Sequence, residues 1–357
     1  MDAVLVVNAG STSLKLSLVA AEGSAEELRS LDEAPAEVAA VAHRVVHGGA
    51  AFREPALIDE EVERRLAELI ELAPLHNAPA LAAIRETRTR LPDVPHVAVF
   101  DTAFHATIPD EASTYALPRR LREDRGIRRY GFHGLSVQWA AEQVPVERLV
   151  VCHLGGGCSL TAVRAGRSID TTMGFTPLEG VPMATRSGSV DPGALLQLLR
   201  DGAAAAELEQ ALEHDSGLLG LSGTSGNVDE LERSSDADAA RALAVYTYRI
   251  ATAIGALAVS LGGLDALVFT AGVGENSTRV RAEICRRLRF LGVELDEAVN
   301  RAAEPDAEIA VPESRVRVVV LRAREDLVAS AEARRLLGLA SQKMSPPSLS
   351  PGPGVGR

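Results

Sequence analysis

Three short turns in this chain are rich in glycine and hydroxyl groups, and each follows an apolar run: NAGSTSLK at residues 8–15, HLGGGC at 153–158 and AGVGENS at 271–277. Clustered backbone amides, hydroxyls and one cation suit a polyphosphate, and a turn that opens a helix adds the partial positive charge of its N-terminus. The lysine stands out because 35 of the 37 basic residues are arginine, leaving only Lys15 and Lys343. The first turn lacks the GxxxxGK[ST] spacing of a Walker A loop, and any one of the three could be a plain hairpin. Three at comparable places point to a nucleotide held across a cleft.

Two cations stand apart from charge runs: Arg44 within AHRVVHGG and Arg186 within MATRSGS. Such positions suit either a structural ion pair or the clamp of an anionic substrate. Asp101 directly follows the apolar run VAVF, at the carboxyl end of an expected strand where α/β ligands bind. A carboxylate there commonly holds Mg²⁺ or its waters. Seven of the eight histidines, His43, His47, His76, His96, His105, His133 and His153, fall in the first 153 residues. His43 and His47 have the spacing of a zinc pair on a helix, but Val45, Val46 and the following glycines favour a strand entering a turn, and no HExxH accompanies them. Satisfied core or cleft imidazoles are expected at most of these positions.

The elements that must carry these groups are short β-branched runs at residues 4–7, 97–100, 149–152, 266–269 and 316–321, nearly all apolar, as in strands covered on both faces. Helical patterns lie between them. Asp59 can cap EEVERRLAELIEL, whose Val62, Leu66, Leu69 and Ile70 form one stripe, and a long helix is expected from about Asp236 to Leu261. The fold class is therefore α/β. The segments 4–19 and 149–167 both read as strand, small-residue turn, strand, 145 residues apart, which suggests a duplicated domain with a cleft between the copies.

The whole chain sets bounds on these readings. Its 357 residues suffice for two domains, and 46% hydrophobic with 24% charged residues is an ordinary globular composition. A net charge of −12 with no basic patch argues against nucleic acid or an anionic membrane as partner. Three cysteines without CxxC spacing suggest neither disulfides nor a zinc knuckle, so the cytoplasm is expected. The N-terminus lacks a signal peptide's basic and long apolar regions. The apolar stretch 250–264 is too short to span a bilayer and reads as a core helix. The tail at residues 341–357, rich in Pro, Ser and Gly, is expected to be disordered.

NAGSTSLK, AHRVVHGG, ELAPLHN, VFDTAFH, YGFHG, HLGGGCS, MGFTPLEG, TRSGSVDP and FTAGVGENS, in this order from residue 4 to about 337, closely resemble the motifs of the acetate kinases. The resemblance implies duplicated ribonuclease H-like domains, as in actin and the Hsp70 ATPase, with an interdomain cleft. The first domain would span 1–144 and be completed by a C-terminal helix at 325–340, and the second would span 145–324. The implied reaction is reversible transfer of the ATP γ-phosphoryl to acetate, giving acetyl phosphate and ADP, in a homodimeric enzyme. It places Asn8 and Glu325 at Mg²⁺ or Mn²⁺, and Lys15 with His153, Leu154, Gly155, Gly156 and Gly157 at the phosphates. Arg44 would hold the acetate carboxylate, and His133 and Arg186 would stabilise the transition state. Val46, Leu75, Phe132 and Pro177 would form the methyl pocket. Asn227, Val228 and Asp229, with Gly272, Val273, Gly274, Glu275 and Asn276, would bind the nucleotide.

Asp101, to which the family assigns a proton-transfer role, is read here as an orienting and metal-water ligand, because acetate is already ionised at pH 7. The chain departs from the family pattern at Gly156, Asn227, Asp229 and Arg324, and the segment between Lys15 and Arg44 is unusually short. Those departures leave room for a different phosphoryl donor or a propionate or other short-chain acyl acceptor. Two other classes are an ATPase switch of the actin or Hsp70 kind and a metal-dependent hydrolase. An acceptor site built from Arg44, His133 and Arg186 has no purpose in a switch.

Overall fold

The computed structural model describes residues 2–10, 14–35, 37–340 and 350–351, and the side chains of Pro74 and Leu75 fall outside that description. Its strands are β1 (Ala3–Ala9), β2 (Leu14–Ala20), β3 (Ala25–Leu28), β4 (Ala40–Val45), β5 (Ala56–Leu57), β6 (His96–Phe100), β7 (Arg148–Leu154), β8 (Cys158–Arg164), β9 (Arg167–Thr171), β10 (Ala266–Thr270), β11 (Ala307–Glu308), β12 (Arg317–Val320) and β13 (Ser350–Pro351). They form two sheets, ordered β3-β2-β1-β4-β6-β5 and β13-β11-β12-β10-β7-β8-β9. Leaving aside β13, the second order is the first repeated: an antiparallel meander, two strands added in parallel, and a short antiparallel edge strand. The repeat read from two hairpins thus extends over the whole topology.

The apolar runs became strands because both faces are covered. Every residue of β6 and β10 is buried, as expected for parallel strands roofed on two sides. Two helices, Gly134–Gln143 and Glu325–Leu337, lie between the sheets and share one core with Val4, Val6, Val97 and Val99 on one side and Leu149, Val151, Val268 and Val319 on the other. The expected long helix runs Ala237–Leu261, capped by the Asp236 side chain on the Asp238 amide. Among the described helices it alone is long and apolar enough to cross a membrane, and its inner face is buried in the core of the second half. The helix Glu60–Glu68 starts where Asp59 Oδ1 accepts from the Val62 amide at 2.7 Å.

The halves differ in one connection. Between β9 and β10 the chain builds several helices, including Ala237–Leu261, whereas between β3 and β4 the described residues form only the 3₁₀ turn Leu31–Glu33. There Leu31, Ala34 and Val38 pack onto Leu5, Val7 and Leu16, so a few apolar side chains cover the sheet face. Of the C-terminal tail, Ser350–Pro351 pair in parallel with Ala307–Glu308, and the rest lies outside the described residues.

Arg334 ties the last helix to the start of β1. This guanidinium is 2% exposed, bonds Asp2 Oδ1 at 2.9 Å and the Asp2 carbonyl at 2.5 Å, and also reaches the Ala340 carbonyl. Arg334→Ala is expected to lower stability by about 2 kcal/mol, because hydrogen bonds to a charged group are worth roughly 1.5–3 kcal/mol net. Asp2→Ala should cost less, since that side chain is 60% exposed and rehydrates easily. Thermal unfolding of both variants checks the order.

Candidate active site

The ends of β1, β4, β6 and β7 open into one cleft of about 890 Å³, lined by groups from both halves. Arg44, near the end of β4, is its most constrained cation. Asp101 follows β6 and takes two of the guanidinium donors, Nε to Oδ1 at 3.0 Å and Nη2 to Oδ2 at 2.6 Å. Arg44 Nη1 reaches Glu325 Oε2 at 2.9 Å and Asn8 Oδ1 at 3.3 Å. Burial opposes the Arg44 charge, but Asp101 and Glu325 outweigh it and raise the pKa, keeping the group cationic.

Glycines bring the YGFHG segment against this strand end. A Cβ on Gly134 would lie 1.9 Å from the Asp101 carbonyl oxygen, so only glycine permits the helix Gly134–Gln143 to start there. His133, just before it, sits in the left-handed region at φ 55°, a conformation that costs a non-glycine residue about 1–3 kcal/mol and clusters at functional sites. Its ring stacks on His153, with centroids 4.0 Å apart. His133 Nδ1 lies 2.9 Å from Ser159 Oγ, and His153 Nδ1 lies 2.8 Å from Ser136 Oγ.

Arg186 enters from the second half. Its Nη1 donates to the Pro177 carbonyl at 3.3 Å, and its Nη2 is 3.4 Å from His76 Nε2. The segment carrying Pro177 is anchored by Glu179, which pairs with Arg129 at 2.9 Å and accepts from the Tyr115 hydroxyl. In the HLGGG turn, a Cβ on Gly157 would stand 3.3 Å from His133 Nε2 and 3.5 Å from Arg186 Nη1. The turn therefore lies against both groups. At Gly156 an added Cβ meets nothing within 4 Å, so sterics do not require glycine there.

Asn8, Lys15, Arg44, Val46, Asp101, Phe132, His133, His153, Gly156, Gly157, Pro177, Arg186, Gly272, Glu275 and Glu325 all line this cleft, as sequence reasoning expected of residues sharing one site. The Leu75 side chain and residues 11–13 of the first turn lie outside the described set. Leu154, Gly155, Asn227, Val228, Asp229, Val273, Gly274 and Asn276 are not among the lining residues. Asn227 caps the short helix Val228–Arg233, and Asp229 pairs with Arg233. Glu275 turns inward, where Oε1 accepts from the backbone amides of Ala271 at 3.0 Å and Ala323 at 2.9 Å. Gly274 packs 3.2 Å from the Phe269 carbonyl carbon, measured from an added Cβ.

Sequence reasoning did not single out His76, Ser136, Ser159 or Glu179 for the site. His76, Ser159 and Glu179 had a signal as members of ELAPLHN, HLGGGCS and MGFTPLEG, whereas Ser136 had none. The zinc alternative for His43 and His47 gains no support: His43 bonds His96 at 3.0 Å, His47 approaches the Phe175 carbonyl, and no cluster of three ligating side chains occurs among the described residues.

The duplicated sheets with a cleft of mixed charge at the strand ends have the architecture expected from the sequence, the ribonuclease H-like fold of actin and the Hsp70 ATPase. The chain belongs to the acetokinase family, whose profile matches residues 26–331. It is 48% identical over 313 residues to the acetate kinase of Synechococcus sp. (strain JA-2-3B'a(2-13)), covering 85% of this chain and 77% of that one. The crystal structure of Porphyromonas gingivalis acetate kinase superposes with a TM-score of 0.85 at 33% identity, over 94% of this chain and 100% of that one. A propionate kinase from Francisella tularensis subsp. tularensis SCHU S4 also gives 0.85 at 33% identity, over 93% and 99%.

The buried imidazoles make the fold sensitive to acid. Burial pushes His47, His76 and His105 down to about 4 and His153 to about 3, and holds His43 and His133 well below the ordinary 6.5. Arg186 and Arg44 add to the effect at His76, as do His153 and both arginines at His133. In the unfolded chain these groups protonate near 6.5, so the folded state binds fewer protons. Their contribution to stability is complete above about pH 6.5 and is lost as the pH falls toward the folded values. By pH 5 the loss is on the order of 1–2 kcal/mol for each fully buried histidine. The melting temperature should therefore fall steeply between pH 6.5 and 5. A flat profile across that window would show that these imidazoles are not held neutral by burial.

Proposed function

We propose that the protein is an acetate kinase, transferring the γ-phosphoryl of ATP to acetate and running reversibly from acetyl phosphate and ADP. The observation that carries this reading is the convergence of Arg44, Arg186 and His133 beside Val46, Phe132 and Pro177 in one cleft. A small carboxylate with an apolar end has a complement there. Transfer brings two anions together through a loose transition state, where fixed positive groups and hydrogen-bond donors do most of the work.

In this mechanism Arg44 holds the carboxylate. Asp101 fixes the plane of the guanidinium, which leaves acetate free to attack phosphorus in line as the bond to the ADP oxygen breaks. No proton moves, consistent with a neutral His133 acting as a donor. Arg186 and His133 face the Gly157 backbone and stabilise the equatorial oxygens. Asn8 and Glu325 supply oxygen donors of the kind Mg²⁺ prefers, both accepting here from Arg44 Nη1, and these two residues would hold the ion. Its chemistry there is neutralisation of charge on the nucleotide phosphates. Lys15 and the 153–157 turn bind the phosphates, and the backbone around Gly272 takes the nucleoside side.

On this reading residues 1–144 with 325–340 and residues 145–324 are the two jaws of the cleft, in a cytoplasmic homodimer. The helix Pro192–Arg200 buries none of its residues and exposes Leu196, Leu198 and Leu199, which favours contact with a second copy. A propionate preference is the second reading, favoured by the likeness to a propionate kinase structure.

Purified protein with ATP, Mg²⁺ and acetate is expected to form acetyl phosphate, trapped as the hydroxamate. Arg186→Ala should retain its fold and lose about 10²- to 10³-fold in rate, and near-full turnover would remove Arg186 from the transition-state role. The acyl pocket gives a separate test, because one methylene is worth about 1–3 kcal/mol, or roughly 10- to 200-fold. The wild type should prefer acetate to propionate, and Val46→Ala should shift kcat/KM toward propionate. A wild-type preference for propionate establishes the second reading.

A further inference from the structure

We propose that Ser159 and Ser136 are positioning residues that fix the two stacked histidines of the cleft as Nε2–H tautomers, each serine serving the histidine of the other half. His133 precedes the helix Gly134–Gln143, and that helix's Ser136 reaches His153. His153 lies in β7 directly opposite Ser159 in β8, and Ser159 reaches His133. The two pairs cross between the halves, and the stacked rings lie within 14° of parallel.

Hydrogen-bond accounting fixes the direction of both contacts. Ser159 and Ser136 are 0% and 1% exposed, and among the described residues neither hydroxyl has another side-chain or backbone partner. A proton on Nδ1 would donate to the serine oxygen and leave the hydroxyl proton buried without an acceptor, a desolvation penalty of the usual size for an unmet donor. With Nδ1 as acceptor the hydroxyl is satisfied and the ring proton moves to Nε2. At His133 that nitrogen faces the gap beside Gly157 that Arg186 Nη1 also faces, so the ring presents a donor to whatever anion lies there. Burial, His153 and the two arginines keep the ring neutral, and a neutral imidazole has only this one N–H to offer.

The catalytic consequence rests on the phosphoryl-transfer reading, but the tautomer itself does not. Long-range ¹H–¹⁵N correlation spectra of ¹⁵N-histidine-labelled protein report the protonated nitrogen directly. His133, assigned by its loss in His133→Asn, is expected as Nε2–H in the wild type. Ser159→Ala should give a mixture of tautomers and lower kcat by about tenfold, with the KM values for acetate and ATP little changed, and Ser159→Thr should restore both. An Nδ1–H tautomer in the wild type would overturn the assignment, as would a Ser159→Ala protein with unchanged spectrum and turnover. A changed tautomer with unchanged kcat would remove Ser159 from any part in the rate. If Ser159→Ala fails to fold, the wild-type spectrum and Ser136→Ala, read at His153, decide. A wild type that forms no acetyl phosphate would sink the proposed function while the spectrum still judged the serines.

Discussion

The site depends on keeping one guanidinium charged, oriented and yet available inside a mostly buried cleft. Arg44 sits in a strand whose neighbours Val45 and His43 are buried, where an unpaired cation would be costly. Asp101 answers that cost with two parallel hydrogen bonds, a geometry that removes rotational freedom as well as compensating charge. Asp101 is itself fixed, since its amide bonds the Val45 carbonyl at 3.1 Å and its carbonyl is the surface against which Gly134 packs. A single strand-end carboxylate thus sets the position of the clamp and of the helix that follows His133. Glu325 completes the arrangement from the far end of the chain, which is why the C-terminal helix must return to the first sheet.

The two arginines are held by different physics. Arg44 is paired with carboxylates, whereas the hydrogen bonds described for Arg186 go to a carbonyl, a thioether and a neutral imidazole. Burial lowers the Arg186 pKa, so its charge is weakly compensated in the resting protein. An anion entering beside Gly157 supplies the missing partner, and the gain is larger for a transition state that concentrates charge there. The neutral histidines are part of the same economy. Burial keeps His133, His76 and His153 neutral, helped by the charge of Arg44 at all three and of Arg186 at the first two, so none adds a positive charge beside the guanidinium groups.

Much of this was legible in the sequence because it lies at strand ends. Short apolar runs followed by Gly, Asp, Arg or His mark where a parallel sheet stops and a ligand site begins, and Asn8, Asp101 and His153 were found on that pattern. Asp59 and Asp236 announced their helices through local capping. Less could be read where a side chain has two roles open to it. Glu275 in AGVGENS lines the cleft, and its carboxylate also accepts from two backbone amides that brace Ala271, itself at φ 65°. Asn227, expected at the nucleotide, caps a short helix. The serine–histidine pairs were invisible because their members meet only in the tertiary fold, and nothing local marks Ser159 as facing a ring 26 residues away.

The duplication explains why the short first-half connection is tolerated. In a sheet of this order the meander β1-β2-β3 and the parallel pair β4-β6 are joined at β1, so the link from β3 to β4 need only return the chain and cover one face. In the second half long helices do this around the core of Ala237–Leu261. In the first half Leu31, Ala34 and Val38 cover the meander, and the helix Pro74–Arg90 contributes Ala83 to the same cluster. The loss falls on the outer face, while Asn8, Lys15 and Arg44 project toward the cleft. Ser17, Ala25 and Glu27 of the meander line the same cleft as the site. The cleft therefore keeps Asn8, Lys15, Arg44, Asp101 and Glu325 together despite the short link, because each is held by a strand end or a helix start that the link does not form.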